Sequence, residues 1–233
     1  MKEVGERIIN TWRDPYDEGF STCRPKQITI KSGLTVLVGC NGAGKTTLLH
    51  NIRDELKKDK IPVHLYDNLR DGNSNSRSDA AFEGNWAFVA TSMAASEGEN
   101  INMNIGNLAA KLMEFRDTGR IREKTTLLVE AFSGKSYELP QTKERWLLLD
   151  AIDSGFSIDN VIEAKNFFRM LINDFADKGL DLYIVVSANE YELARGEECF
   201  DVMNGKYIHF SDYDDFRNFI IRSREKKDKR YEK

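Results

Sequence analysis

Apolar positions along the chain switch between short continuous runs and helical spacings, and that switching predicts most of the elements. Gln27-Ile28-Thr29-Ile30 and Leu34-Thr35-Val36-Leu37-Val38 read as two short strands separated by the turn Lys31-Ser32-Gly33. From Lys45 to Lys58 the apolar residues Leu48, Leu49, Ile52 and Leu56 recur at helical spacing and give way to a polar run through Lys60. Val63-His64-Leu65-Tyr66 reads as the next strand, and residues 67–79, rich in Asn, Ser, Gly, Asp and Arg, as a surface loop. Ile101, Ile105, Leu108, Leu112 and Phe115 then predict a helix that starts after Ser96 and stops near Thr118-Gly119. Between Arg120 and Glu144 the pattern is poor, with one candidate strand at 126–129.

The second half is clearer. Trp146-Leu147-Leu148-Leu149, ending in Asp150, is a continuous apolar run of the kind buried on both faces of a parallel sheet. A long helix follows over Ile158 to Lys178, and Leu182-Tyr183-Ile184-Val185-Val186 is a second buried strand. Phe200-Asp201-Val202-Met203 and Lys206-Tyr207-Ile208-His209-Phe210 flank Asn204-Gly205, a dipeptide that predicts a type I′ hairpin. A last helix begins near Asp212 and ends in a mixed but basic stretch, residues 222–230, read first as a solvated terminus and second as a contact for a phosphate backbone. Helices alternating with buried strands predict an α/β architecture with a mostly parallel sheet, closed by a C-terminal β-hairpin and helix.

Composition narrows this only a little. With 233 residues, the chain is long enough for one sizeable core, so a single domain over 1–233 is expected. Lys and Arg number 34 against 38 Asp and Glu, a net charge of -4, which leaves no overall positive field to steer the molecule onto nucleic acid or anionic lipid. The three cysteines, Cys23, Cys40 and Cys199, and the three histidines, His50, His64 and His209, lack metal-ligand or disulfide spacing. No apolar run approaches the roughly 20 residues that span a bilayer, and the N-terminus has no apolar signal core, so the expectation is a soluble, cytoplasmic protein without membrane insertion.

The chemistry enters at Gly39-Cys40-Asn41-Gly42-Ala43-Gly44-Lys45-Thr46, a full match to G-x-x-x-x-G-K-[ST] between a predicted strand and a predicted helix. Glycines let backbone N–H groups turn inward around a β-phosphate, and the helix N-terminus adds a positive dipole end. In such a loop Lys45 reaches the β- and γ-phosphate oxygens and Thr46 offers a hydroxyl to Mg²⁺. Asp150, at the end of a buried strand, is the matching acid for the magnesium shell. A second Gly-Lys-Ser, at 134–136, has Val129 where the first glycine belongs and reads as a chance match.

Asn41-Gly42-Ala43-Gly44-Lys45-Thr46-Thr47 resembles the phosphate loop of ABC-type ATPases, the P-loop superfamily that includes transporter engines and the SMC and RecF types of DNA-repair protein. Ser96-Glu97-Gly98-Glu99 resembles a divergent ABC signature, although it is also a capping box. Asp150-Ala151-Ile152-Asp153-Ser154-Gly155-Phe156-Ser157 resembles the second acidic motif with the following D-loop, and Ser187-Ala188-Asn189 stands in the place of the switch histidine. The resemblance implies a P-loop NTPase fold, a helical signature-bearing subregion at about 80–144, ATP and Mg²⁺ as ligands, and a head-to-tail dimer. In that dimer Ser96, Gly98 and Glu99 of one subunit cap the nucleotide held by Asn41, Gly42, Ala43, Gly44, Lys45, Thr46 and Thr47 of the other.

Three departures qualify what the resemblance implies. Ala151 stands where the family carries the glutamate that polarises water, Asn189 replaces the histidine, and no glutamine lies between the phosphate loop and the signature. Slow hydrolysis is therefore expected, with Lys45, Asp150, Asn189 and a substitute carboxylate, Asp153 or Glu190, as candidate catalytic residues. The leading expectation is an ATPase of this type that dimerises around ATP–Mg²⁺ and acts as a switch on a protein or nucleic-acid partner. A non-hydrolysing ATP sensor or scaffold is the alternative, with a small-molecule kinase or a transporter subunit behind it. For the adenine base, Trp12, Arg13, Tyr16 and Phe20 are stacking candidates.

Overall fold

The computed structural model describes residues 5–12, 24–67, 111–120, 139–153 and 157–231. Eight strands lie within them: β1 (Glu6–Asn10), β2 (Gln27–Lys31), β3 (Gly33–Val38), β4 (Val63–Asp67), β5 (Glu144–Asp150), β6 (Asp181–Ser187), β7 (Cys199–Asp201) and β8 (Lys206–Ile208). The described helices are α1 (Lys45–Lys58), α2 (111–118), α3 (Ile158–Asp177), the single turn α4 (Tyr191–Ala194) and α5 (Tyr213–Tyr231). The protein is α/β, with a mostly parallel six-stranded sheet in the order β4-β5-β6-β3-β7-β8. Only β8 runs antiparallel, against β7.

The central strands β5 and β6 are apolar through their middles because both faces are covered. On one face, Leu37, Trp146, Leu148, Tyr183, Val185 and Phe200 pack against Leu48, Leu49, Ile52 and Leu56 of α1. Opposite them, Val36, Val38, Leu147, Leu149, Ile184 and Val186 pack against Val161, Ala164, Phe168, Leu171 and Phe175 of α3. Strands carry alternate side chains to opposite faces, so a strand covered on both sides has no polar position to show. Trp146 and Tyr183, paired across β5 and β6, stack with ring centroids 4.1 Å apart.

The chain ends of the helices follow local chemistry. Ser157 caps α3 by accepting the N–H of Asn160 at 3.3 Å, and Asp212 caps α5 by accepting that of Asp215 at 2.8 Å. The helix expected to close near Thr118-Gly119 does so, with the Gly119 N–H donated to the Phe115 carbonyl at 2.7 Å. Its first part, together with the candidate strand at 126–129 and most of the subregion at 80–144, lies outside the described residues.

One strand was missed and one turn reading changes. The two strands expected on either side of the turn at Ser32 are present but lie in different sheets: β2 pairs antiparallel with β1, the strand absent from the sequence reading, and this ribbon lays Ile9, Ile28 and Ile30 onto the α1 side of the core. β1 was obscured because only Ile9 of its five residues is buried. The β7–β8 connection is not a type I′ turn, which requires positive φ at both central residues. Among the described non-glycine residues only Lys60 and Ala151 have positive φ, so Asn204 does not. Instead the Asp201 carboxylate accepts the N–H groups of Met203 and Asn204 at 3.0 and 3.3 Å, and the loop closes with the Gly205 N–H on the Asp201 carbonyl at 2.8 Å. An aspartate three residues ahead of Asn204 outcompetes the Asn-Gly preference.

Candidate functional site

The sheet topology opens a crevice where the sequence places its chemistry. β6 is inserted between β3 and β5, and the connections leaving β3 and β6 run to opposite sides of the sheet, β3 toward β4 and β6 toward β7. Ligand crevices in open α/β sheets lie at such a switch, beyond the carboxyl ends of the strands. Here the crevice has a volume of about 390 Å³ and is lined by Asn41, Gly42, Gly44, Lys45, Thr46 and Thr47 on one side and Asp150, Ala151, Ser187 and Asn189 on the other.

The loop from Gly39 to Gly44 joins β3 to α1 in a tight glycine-rich turn at the edge of the crevice. Gly42 and Gly44 have φ of 77° and 98°, values that let successive N–H groups converge, and a methyl group on Gly44 meets no neighbour. Backbone dihedral, not crowding, therefore selects glycine at Gly44. The loop is closed by the Ala43 N–H on the Cys40 carbonyl at 3.0 Å. α1 begins immediately after Gly44 without a side-chain cap, leaving its first N–H groups directed at the crevice.

Lys45 is 9% exposed, and its ammonium donates to the Gly39 carbonyl at 2.9 Å. Burial lowers its pKa, opposed chiefly by the field of Asp153 and also by that of Asp150. Opposite, the Ser187 hydroxyl donates to Asp150 at 2.7 Å and accepts the Ala151 N–H at 2.8 Å. This fixes the Asp150 carboxylate between strands β5 and β6, facing the loop that carries Thr46. Thr46 and Asp150 offer hard oxygen donors, the kind Mg²⁺ takes together with phosphate oxygens. Among the described residues no group of three or more His, Cys, Asp or Glu forms a metal cage on its own.

Asp153 stands behind the crevice and not in its lining. Its carboxylate accepts the Asn189 N–H at 2.6 Å, the Glu190 N–H at 2.8 Å and the Asn189 side-chain amide at 3.2 Å. Burial raises its pKa against these hydrogen bonds. Asp153 thus clasps the turn after β6 and aims Asn189 at the crevice, as a loop-capping side chain does. Glu190 is exposed and precedes α4. Ala151 holds a left-handed φ of 52°, unusual for a residue with a Cβ, at the position where the resemblance expects a water-polarising glutamate.

The structure brings together Asn41, Gly42, Gly44, Lys45, Thr46, Thr47, Asp150 and Asn189 around one crevice, with Ala43 in the loop between them. Ser96, Gly98 and Glu99 lie outside the described residues, as do Arg13, Tyr16 and Phe20. Trp12 is at the end of the β1–β2 ribbon, its N–H donated to the Asn51 side chain at 2.8 Å, and does not line the crevice.

Sequence reasoning missed two groups. Ser187 entered only as a neighbour of Asn189, and a serine ending a buried strand carries no signal of which carboxylate it meets. Ser223 and Lys227 of α5 were submerged in a basic tail, although they continue a stripe with Phe216 and Ile220 at helical spacing. Both reach the glycine-rich loop: the Cys40 N–H donates to Ser223 Oγ at 3.1 Å, and Lys227 Nζ donates to the Asn41 carbonyl at 3.1 Å.

In comparison with known proteins, no family model matches the chain and no curated protein matches it. Among the described residues no helix is long and apolar enough to cross a membrane.

Proposed function

We propose that the protein is a P-loop nucleoside-triphosphate-binding switch of the ABC type, taking ATP with Mg²⁺ and hydrolysing it slowly, in service of a protein or nucleic-acid partner. The observation that carries the reading is the crevice itself. A full G-x-x-x-x-G-K-[ST] loop, with its helix N-terminus, faces a strand-end aspartate across a topological switch point.

In this reading the loop N–H groups and Lys45 hold the β- and γ-phosphates, so Lys45 exchanges its Gly39 carbonyl for phosphate oxygens. The exchange favours the ammonium form, because an anion restores the charge partner that burial withholds. Thr46 and Asp150 share the Mg²⁺ shell, and Asn189 is a neutral hydrogen-bonding partner for the terminal phosphate. Slow turnover follows from Ala151, which offers no carboxylate, and from Asp153, whose oxygens already hold the turn after β6. The same two facts favour, as a second reading, a sensor or scaffold that binds ATP and stays loaded.

The test is equilibrium binding of Mg–ATP, followed by phosphate release over hours, for the wild type and Lys45→Ala. Loss of a charge-assisted contact of about 1.5–3 kcal/mol corresponds to roughly ten- to a hundredfold weaker binding in the variant. Equal affinity in the two proteins refutes the reading. Turnover that matches Lys45→Ala, with binding intact, selects the sensor.

A further inference from the structure

We infer that the C-terminal helix α5 is part of the phosphate-binding machinery, with Ser223 and Lys227 as positioning residues that hold the loop in its anion-accepting shape. The inference rests on the reading of the loop as a nucleotide site, and it adds an element that no motif of the sequence includes.

A glycine-rich loop binds an anion through several backbone N–H groups at once. Such a loop gains affinity only if its N–H groups already converge, since ordering each free residue costs about 1–2 kcal/mol. Peptide groups that turn away from the ligand must also find partners elsewhere. In this molecule two such groups, the N–H of Cys40 and the C=O of Asn41, are both taken by one face of α5, through Ser223 Oγ at 3.1 Å and Lys227 Nζ at 3.1 Å. The two side chains are four residues apart, one turn of helix, so a single rigid element braces consecutive residues of the loop.

The environment shows that the contact is built. Ser223 is 4% exposed, and its hydroxyl also meets Met203 Sδ at 3.2 Å, within the β7–β8 loop. Cys40, Ala43 and Met203 form a small buried cluster with Ile220 of α5 packed on it, so apolar contact seats the helix before either polar group acts. Close approach is reciprocal: a methyl group on Gly42 lies 3.5 Å from Lys227 Nζ. Lys227 has a rival partner, Asp228, but that carboxylate is 3.8 Å away and exposed. Its ammonium therefore rests on the loop at Asn41 and Gly42, outside the lining of the crevice, and adds a positive charge beside the loop N–H groups.

Reciprocity gives the prediction its second half. If a docked α5 tightens the loop's hold on phosphate, bound phosphate must tighten α5 onto the loop by the same factor. A basic segment read as a solvated terminus then reports nucleotide occupancy to the surface.

The experiment measures dissociation constants for Mg–ATP and Mg–ADP in the full chain, for wild type, Lys45→Ala, Ser223→Ala, Lys227→Gln and Lys227→Arg, with thermal melting as the folding control. Amide hydrogen exchange over residues 222–230 is followed with and without Mg–ATP. We expect Ser223→Ala and Lys227→Gln to weaken both nucleotides by about fivefold or more, Lys227→Arg to recover most of the loss, and Mg–ATP to slow exchange in the wild-type segment. Wild-type affinity in both Ser223→Ala and Lys227→Gln, with Lys45→Ala defective and the segment's exchange unmoved by Mg–ATP, overturns the inference and leaves the nucleotide site standing. Wild-type protein that binds neither nucleotide overturns both.

Discussion

Ala151 sits at φ 52°, in a region that costs a residue with a Cβ about 1–2 kcal/mol relative to glycine. Part of that is offset by the extra freedom glycine has in the unfolded chain, so Ala151→Gly should stabilise the fold by a few tenths to about 1 kcal/mol. Chemical denaturation checks this, and a lower midpoint in the variant means the strain lies elsewhere. His64, on the β4 face that also carries Tyr66, has its pKa pushed down to about 4, first by burial and then by the nearby Lys111 ammonium. The unfolded chain therefore takes up this proton first, near pH 6.5. The contribution of neutral His64 is complete above that value and is lost as the pH falls toward 4. A His64→Asn variant should show a shallower decline in denaturation midpoint than wild type across that window, and parallel curves refute the assignment.

At the scale of elements, β5 and β6 carry the sheet. Trp146 is fully buried, stacks on Tyr183, and donates its indole N–H to Glu144 at 3.0 Å. Trp146→Ala should cost about 3–5 kcal/mol, enough to leave little of a typical domain's stability. A loss under about 1 kcal/mol in urea titration contradicts the packing described here, since even Ile→Val costs as much.

The elements legible in the sequence are those whose pattern has one cause. β5, β6, α1 and α3 are apolar where both faces or one stripe are buried, and no local chemistry competes. β1 was illegible because Arg7 is an ion-pairing residue inside it, meeting Asp59 and Glu144, so the strand reads as polar. The turn at Asn204-Gly205 was misread because the competing acceptor, Asp201, lies outside the dipeptide that carries the rule. The loop wall of the crevice was legible as a motif, since its lining residues from Asn41 to Thr47 are contiguous in sequence. The opposite wall was half legible: Asp150 ends an apolar run, but its pairing with Ser187 and the clasp of Asp153 on Asn189 join separate strands, and no local pattern encodes them.

For the whole molecule, the ABC-type reading carries one expectation about mass. A composite site completed by Ser96, Gly98 and Glu99 of a second copy predicts a monomer that becomes a dimer on adding Mg–ATP, and a dimer that persists for hours if turnover is slow. Light scattering with and without nucleotide measures both. A mass unchanged by ATP, with binding demonstrated, removes the homodimer from the proposal and points to a kinase or to a second half supplied by another protein.

The order of strands also sets a calendar for the growing chain. β6 sits between β3 and β5 but is made after both, so a ribosome that has released residues only as far as α3 presents β3 on one side and the β4–β5 pair on the other, each with an unfilled edge. Such edges invite pairing with other chains. The two walls of the crevice meet only when β6 slides into the gap, and the brace from α5 arrives later still. On the proposed reading, competence to bind is thus withheld until β6 and α5 have left the ribosome, and nascent chains stalled before and after β6 should differ in that property as sharply as two different proteins.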